Sequence, residues 1–229
     1  MIGILCALES EYTAVLNILS EKKKCEGVLC PVVTGKVFDR EVTVTQSGIG
    51  MVNAATAVMV LQQYATPKWI LNIGFSGILN PTYAQGDAIL CSNVCSYDSD
   101  AFGAGSLGWS DPYLEGYSIY PEVLLVLKEE GLDTKVNLRL GRAASGDRIV
   151  TNAELAEKIR TTYEADCVDM ETAAVCQTCL KLRIPHAVVR ILSDYSNKRA
   201  YIDFLKKEKE LLALIEDLSK VMVKVKDKV

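Results

Sequence analysis

The sequence contains one histidine in 229 residues, and this scarcity limits the chemistry that it can carry out. His186 follows Pro185 at the start of an apolar segment, a position that is more often structural than catalytic. With His186 in a structural role, Ser-His-Asp and Cys-His mechanisms are excluded. Acid–base catalysis would then depend on Asp and Glu side chains.

The sequence also lacks an apolar run approaching the roughly 18 residues that a membrane span needs. Its beginning, MIGILCALESE, reaches acidic residues too soon, and without a basic flank, for a signal peptide. We therefore expect a cytoplasmic protein with no membrane partner. The formal net charge of -4 and the lack of a clustered basic face argue against a nucleic-acid partner. Lys22 to Lys24 are interpreted as a solvated turn.

Eight cysteines are present, but their pattern does not indicate a metal site. The C-x-x-C pair, Cys176 and Cys179, lies inside a predicted helix and not in a zinc knuckle. We interpret the cysteines as small buried hydrophobic residues in a reducing compartment. No metal and no cofactor are expected.

The pattern of elements predicts an α/β protein. With 49% hydrophobic and 24% charged residues, the chain can bury a core as one domain over residues 1–229. Hydrophobic spacing predicts strands over residues 1–5, 41–46 and 138–143, an edge-like segment over 31–37, and helices over about 53–64 and 121–130. An apolar stripe ending at Val225 predicts a terminal helix that packs on the sheet.

Residues 167–194 carry the most informative pattern, CVDMETAAV followed by HAVVRILSD. We predict a strand end that delivers Asp169 and Glu171, a helix over about 172–182, and a strand that delivers Arg190 and Asp194. A strand, crossover helix and second strand would return both ends to the same edge of a parallel sheet. The acidic side chains are therefore expected to converge.

The segments VDMETAA and VRILSD resemble the active-site signature of the nucleoside phosphorylase superfamily, most closely that of its methylthioadenosine/S-adenosylhomocysteine nucleosidases. The similarity extends, with gaps, from the first strand to the last helix. It implies a single-domain three-layer α/β/α fold with a central mixed, mostly parallel twisted sheet. It also implies cofactor-independent hydrolysis of the N-glycosidic bond of 5′-substituted adenine nucleosides, with release of adenine.

The resemblance implies a role for each acidic residue. Asp194, beside Ser193, would donate a proton toward N7 of the base, and Glu11 would activate the attacking water. Glu171 would bind the ribose hydroxyls and stabilise the cationic sugar. Arg190 would neutralise the crowded carboxylates and help to hold the water.

Further substrate contacts are implied by position. Ile49 would line the 5′ side, Gly77 would allow close approach of the ligand, and Met170 would pack against the ribose. Backbone groups of Val150 would read the adenine edge. Tyr201 falls near a family Phe that closes over the 5′ substituent.

Residues 97–117 form a long stretch rich in Gly and aromatic residues, which is typical of a functional loop. In the resembling family the equivalent Asp-Ala-Phe-Gly region crosses a dimer interface and caps the substrate of the neighbouring subunit. Phe102 matches the capping position. A homodimer is therefore expected, with the neighbour's Phe102 over each site.

The sequence departs from the family pattern at several pocket positions. Phe75 stands where a Ser usually reaches toward the ribosyl group, and Ser76 follows it. Ile149 replaces the aromatic residue that stacks on the purine, and Arg148 lies beside it. Ile78 replaces a Gly.

Two alternatives compete with hydrolysis. A phosphorolytic enzyme needs cationic donors for phosphate, but the loop after the first strand reads CALESEY, and its two acids would repel an anion. A non-catalytic nucleoside-binding protein has no need for Glu11, Glu171 and Asp194 together. We therefore favour a hydrolase, with a thioether or similarly apolar 5′ substituent on its substrate.

Overall fold

The computed structural model describes residues 1–26, 29–98 and 136–224. Most of the predicted 97–117 loop with Phe102, the predicted helix over 121–130 and Val225 lie outside the described residues. The described part contains nine strands: β1 Ile2–Cys6, β2 Ser20–Cys25, β3 Val32–Val37, β4 Arg40–Gln46, β5 Trp69–Ile78, β6 Ala88–Ser96, β7 Leu138–Ser145, β8 Cys167–Asp169 and β9 His186–Asp194. It also contains five helices: α1 Glu9–Asn17, α2 Met51–Ala65, α3 Ala153–Tyr163, α4 Thr172–Leu182 and α5 Ala200–Lys224.

The strands form one mixed sheet in the order β2-β3-β4-β1-β5-β8-β7-β6-β9, and β9 also pairs with β5. Five neighbouring pairs are parallel, namely β1–β4, β1–β5, β5–β9, β6–β7 and β7–β8. Four are antiparallel, namely β2–β3, β3–β4, β5–β8 and β6–β9. The predicted α/β fold with a mixed sheet is confirmed. The additional β5–β9 pairing closes five strands into a ring, in the order β5-β8-β7-β6-β9.

The predicted parallel crossover over residues 167–194 was wrong in its geometry. β8 runs antiparallel to β5, whereas β9 runs parallel to it. The acids nevertheless meet, because the C-terminal end of β5 contacts both strands. Gly77 pairs with Val168 on one side and with Asp194 on the other. The strand β5, and not the direction of β8, brings the two motifs together.

The interpretation of Lys22 to Lys24 as a turn was also wrong. These residues belong to β2, an exposed strand at the edge of the sheet. Consecutive Lys side chains on an edge strand discourage pairing with another chain. The segment predicted as edge-like, β3, lies inside the sheet between β2 and β4.

Helices pack on both faces of the sheet. Successive strand residues point to opposite faces. Ile4 and Leu71 therefore join the core formed with α1 and α5, whereas Leu5 and Ile70 join a second core formed with α2 and α4. The predicted terminal helix is present as α5, and its apolar stripe is buried in the first core. Among the described helices none is long and apolar enough to cross a bilayer.

Candidate active site

A pocket of about 340 Å³ lies beside the C-terminal ends of β5, β8 and β9 and the loop after β1. Nine of the eleven residues predicted from the sequence line it: Glu11, Ile49, Gly77, Val150, Met170, Glu171, Ser193, Asp194 and Tyr201. Arg190 is 1% exposed and is not among the lining residues. Phe102 lies outside the described residues. The pocket thus gathers residues from six separate segments of the chain, at residues 7–11, 49, 75–77, 148–150, 168–171 and 193–204.

Glu11 is held in the first turn of α1 and is 2% exposed. Its Oε2 accepts hydrogen bonds of 2.9 Å from the N–H groups of Ala7 and Leu8, and its Oε1 accepts one of 2.7 Å from Phe75. Burial raises the pKa of Glu11, although these N–H donors and the charge of Arg190 oppose the increase. A fixed carboxyl group with a raised pKa is suited to accept a proton.

Gly74 creates the space in which Glu11 and Arg190 approach each other. A Cβ atom on Gly74 would lie 2.7 Å from Arg190 Nη1 and 2.8 Å from Glu11 Oε1. The space beside Gly74 is therefore filled by protein side chains. Gly77 lines the pocket, and a Cβ atom there would lie 2.2 Å from Ser196 Oγ.

Arg190 is buried beneath the pocket in a polar cluster that sequence reasoning did not assign. Its Nε lies 2.6 Å from Asp169 Oδ2, and the guanidinium also donates to Thr172 Oγ1 and Asn72 Oδ1. The Ser145 hydroxyl donates to Asp169 as well. Burial is the largest effect and lowers the pKa of Arg190, but the neighbouring acidic groups, Asp169 first among them, together outweigh burial and raise the pKa, so the guanidinium stays charged. The one sequence feature that could have indicated this cluster was the position of Asp169, two residues before Glu171.

Glu171 precedes α4 and is 6% exposed. Its Oε1 accepts a hydrogen bond of 2.9 Å from the Gly50 N–H. Burial, together with the neighbouring charge of Asp169, raises the pKa of Glu171 to about 7, while Arg190 opposes the increase. Because Arg190 is already paired with Asp169, Glu171 lacks a full countercharge of its own. A cationic group bound beside Glu171 would supply that charge and favour its ionised form.

The loop that carries Ile49 is fixed by acids from two other segments. Besides the Gly50 bond to Glu171, the Met51 N–H donates to Asp147 Oδ1 at 2.7 Å. Gly50 has a φ of 101°, which a residue with a side chain rarely adopts. The glycine therefore allows this loop to turn between the two carboxylates and to place Ile49 at the pocket.

Asp194 ends β9 and is partly buried. Its Oδ2 lies 2.8 Å from the Ser193 hydroxyl, and its Oδ1 accepts a hydrogen bond of 2.9 Å from the Ser196 N–H. These contacts orient the carboxyl group beside Gly77, where it lines the pocket. No ion pair of Asp194 is found within the described ranges.

The outer wall of the pocket is apolar. Ile49, Ile149 and Tyr201 are 53%, 67% and 71% exposed. Phe75 packs edge-on against Phe204, with ring centroids 5.1 Å apart. The site therefore has carboxyl groups at its floor and large apolar side chains at its mouth. It suits a ligand with a polar reacting end and an apolar substituent.

His186 lies away from this site, as its sequence position indicated. It is 2% exposed at the start of β9, is absent from the pocket lining, and its Nδ1 lies 3.1 Å from the carbonyl oxygen of Ile184. Burial lowers the pKa of His186, which favours the neutral imidazole.

Comparison with known proteins identifies the class of this fold and site. Residues 1–222 match the family model described as the phosphorylase superfamily. The family resemblance read from the sequence is confirmed, and the chain belongs to the phosphorylase superfamily, within its 5′-methylthioadenosine/S-adenosylhomocysteine nucleosidases.

The assignment to the nucleosidases within this superfamily rests on the following relatives. A 5′-methylthioadenosine/S-adenosylhomocysteine nucleosidase of Staphylococcus aureus (strain bovine RF122 / ET3-1) is 34% identical over 210 residues, which cover 89% of this chain and 90% of the relative. The S-adenosylhomocysteine nucleosidase of Streptococcus pyogenes, solved in complex with 5-methylthiotubericidin, is 26% identical with a TM-score of 0.88 and coverage of 97% and 95%. A nucleosidase of Colwellia psychrerythraea, solved with adenine, is 26% identical with a TM-score of 0.87 and coverage of 100% and 96%.

Proposed function

We propose that this protein hydrolyses the N-glycosidic bond of 5′-substituted adenine nucleosides, including 5′-methylthioadenosine and S-adenosylhomocysteine, and releases adenine. One observation carries the proposal: Glu11, Glu171 and Asp194 line the same pocket. The names of the relatives, which are nucleosidases of these substrates, support the same reaction.

The three carboxyl groups match the three needs of the reaction. Breaking the bond leaves a cationic sugar and a base that must be protonated, and a water molecule must attack the anomeric carbon. We assign Asp194 as the acid that protonates N7 and Glu11 as the base that takes the proton of water. Glu171 binds the ribose hydroxyls and stabilises the positive sugar. Arg190 pairs with Asp169, and its charge opposes the burial that raises the pKa of Glu11.

The pocket lining supports the remaining contacts that we assign. Ser193 orients Asp194, with its hydroxyl 2.8 Å from the carboxylate. Met170 packs against the ribose, Gly77 and Val150 contact the base, and the apolar mouth at Ile49 and Tyr201 receives the 5′ substituent. These lining positions support an apolar substituent such as a thioether.

Charge favours water over phosphate as the nucleophile. The pocket is lined by Glu11, Asp169, Glu171 and Asp194, and its lining includes a single cation, Arg148, within the described residues. The buried Arg190 is already paired with Asp169. An anionic nucleophile would therefore be repelled, whereas neutral water would not.

The expected result is adenine release from 5′-methylthioadenosine in phosphate-free buffer, because water completes the reaction. Adding phosphate should leave the rate unchanged, and the sugar product should be free 5-methylthioribose. Chromatography of the products in both buffers makes the measurement, with adenosine and inosine as comparison substrates. Turnover that requires phosphate, or a preference for adenosine or inosine, would contradict the proposal; nucleoside binding without any turnover would favour a binding protein.

We also propose a homodimer in which Phe102 of each subunit caps the site of the other. Support comes from the outer face of α2, where Val52 and Met59, seven residues apart, are 76% and 50% exposed, next to Ile49. Burying such a face against a second copy would remove apolar surface from water. Sedimentation equilibrium should give twice the 25.1 kDa of one chain. A monomer at micromolar concentration would refute this arrangement.

We further propose that residues 1–229 form one three-layer α/β/α domain in the cytoplasm. The two helix layers on opposite faces of a shared sheet support a single domain. All eight cysteines are free thiols, which supports a reducing compartment. Recovery of the protein in a membrane or secreted fraction would contradict this location.

A further inference from the structure

The first turn of α5 forms part of the pocket mouth although much of it is exposed. Tyr201 and Phe204 line the pocket from this part of the helix. Tyr201 and its neighbour Ile202 are 71% and 51% exposed, so burial does little to hold them in place. The shape of the mouth therefore depends on what fixes this turn against the strands that carry the acids.

Gln85 joins the first turn of α5 to the end of β9. Its Nε2 donates one hydrogen bond of 2.7 Å to the carbonyl oxygen of Ser193 and another of 2.8 Å to the carbonyl oxygen of Asp203. This nitrogen carries two N–H donors, and both are used. Ser193 directly precedes Asp194, whereas Asp203 belongs to α5. One amide group thus links the segment of the catalytic acid to the segment of the apolar mouth.

The backbone around Gln85 is itself fixed on β9. The Gly86 N–H donates to the carbonyl oxygen of Leu192, and the Leu192 N–H donates to the carbonyl oxygen of Asp87, both at 2.9 Å. The Asp87 carboxylate accepts a hydrogen bond of 3.0 Å from the Ala84 N–H. Because the residues on both sides of Gln85 are held, its side chain reaches α5 from a fixed point.

Within the part of the chain that the structure describes, Gln85 is the one hydrogen-bond donor that joins the first turn of α5 to a distant segment. The other polar contacts of this turn are local. Asn197 accepts hydrogen bonds from the N–H groups of Arg199 and Ala200, and the Arg199 side chain lies 4.0 Å from that of Asp203. Loss of the Gln85 bond would leave the turn without a polar link to β9.

Resting on the proposed hydrolysis, we propose that Gln85 is a positioning residue that sets the distance between the apolar mouth and Asp194, and so favours nucleosides with an apolar 5′ substituent. Gln85 is absent from the pocket lining, and it therefore acts through α5 and not on the substrate. Without its hydrogen bond, Tyr201 and Phe204 contact the 5′ substituent less closely. The contacts to base and ribose come from other segments and are kept.

The test compares Gln85→Met, which keeps the length of the side chain but removes both donors, with Gln177→Met as the matched control. Gln177 is half-buried on α4 and lies outside the pocket lining. The substrates are 5′-methylthioadenosine and 5′-deoxyadenosine, which lacks the methylthio group. In Gln85→Met we expect kcat/KM for 5′-methylthioadenosine to fall about three- to tenfold, the effect of one hydrogen bond, through a higher KM. The value for 5′-deoxyadenosine should change little, and Gln177→Met should match the wild type for both substrates.

Hydrogen exchange followed by mass spectrometry tests the link without catalysis. Peptides covering residues 199–206 should exchange faster in Gln85→Met than in the wild type, because local opening of the turn costs less, whereas peptides from α3 should not change. Unchanged exchange would overturn the link. An equal loss of kcat/KM for both substrates, or no loss for either, would overturn the role in selectivity while leaving the hydrolysis intact. A wild-type protein without turnover would refute the proposed function and the selectivity with it, and the exchange result would still decide whether Gln85 holds the turn.

Discussion

Replacing Asp194 with Asn is expected to lower kcat for adenine release by about 10²- to 10⁴-fold, the usual contribution of a general acid. Asn has nearly the same shape and keeps an oxygen that can accept the Ser196 N–H, which Asp194 Oδ1 accepts at 2.9 Å. It cannot deliver a proton to N7 of the departing base. The loss should therefore appear in kcat, with little change in KM, when initial rates of adenine release are measured.

Asp217→Asn is the matched control, because Asp217 pairs with Lys220 on the exposed part of α5, where its side chain is 53% exposed. This variant should retain wild-type kcat. Substrates with a better leaving group than adenine should lose less activity in Asp194→Asn, since they need less protonation. A decrease below about tenfold would show that another group protonates the base, and the assignment of Asp194 would be wrong.

Replacing Asp169 with Asn is expected to lower the free energy of unfolding by about 3 to 5 kcal/mol. The Asp169–Arg190 pair is buried on both sides, with side-chain exposures of 2% and 1%. Removing the carboxylate leaves the guanidinium charged in an environment with little water. Equilibrium denaturation in guanidinium chloride, followed by tryptophan fluorescence and by circular dichroism, measures the change.

Glu157→Gln provides the exposed counterpart, because Glu157 pairs with Arg160 on the surface of α3 with a side-chain exposure of 59%. Its effect on the free energy of unfolding should be small, because water screens an exposed ion pair. A similarly small effect of Asp169→Asn would show that Glu171 or Glu11 takes over as the countercharge of Arg190.

The same denaturation experiment tests the proposal of a single domain over residues 1–229. Tryptophan fluorescence and circular dichroism should report one common transition, and two separate transitions would contradict a single domain.

Local patterns in the sequence predicted much of the fold because they repeat with the period of the element that they form. The helix expected over about 172–182 is α4, Thr172–Leu182, and the apolar stripe after Phe204 forms the buried face of α5. The same patterns misplaced β2 and β3, because whether a strand lies at an edge depends on its neighbours and not on its own residues. The predicted direction of β8 was wrong for the same reason.

The candidate site was predicted in part. The residues of the VDMETAA and VRILSD motifs were named from the sequence, and the structure places Met170, Glu171, Ser193 and Asp194 around one pocket. The partner of Arg190 was not identified, since nothing in the local sequence indicates that Asp169, Thr172 and Asn72 share one buried cluster.

The sequence by itself determined the kind of chemistry. One histidine and a set of acids after predicted strands direct catalysis to carboxyl groups, because these are the remaining acid–base side chains suited to the task. Only the tertiary structure decided which acid pairs with the buried cation and how burial changes the pKa of the other acids. Arg190 pairs with Asp169, so burial raises the pKa of Glu11 and brings that of Glu171 to about 7. Such differences arise from distances and desolvation that exist only in the folded chain, where Glu11, Glu171 and the Arg190–Asp169 pair come together, and no local pattern records them.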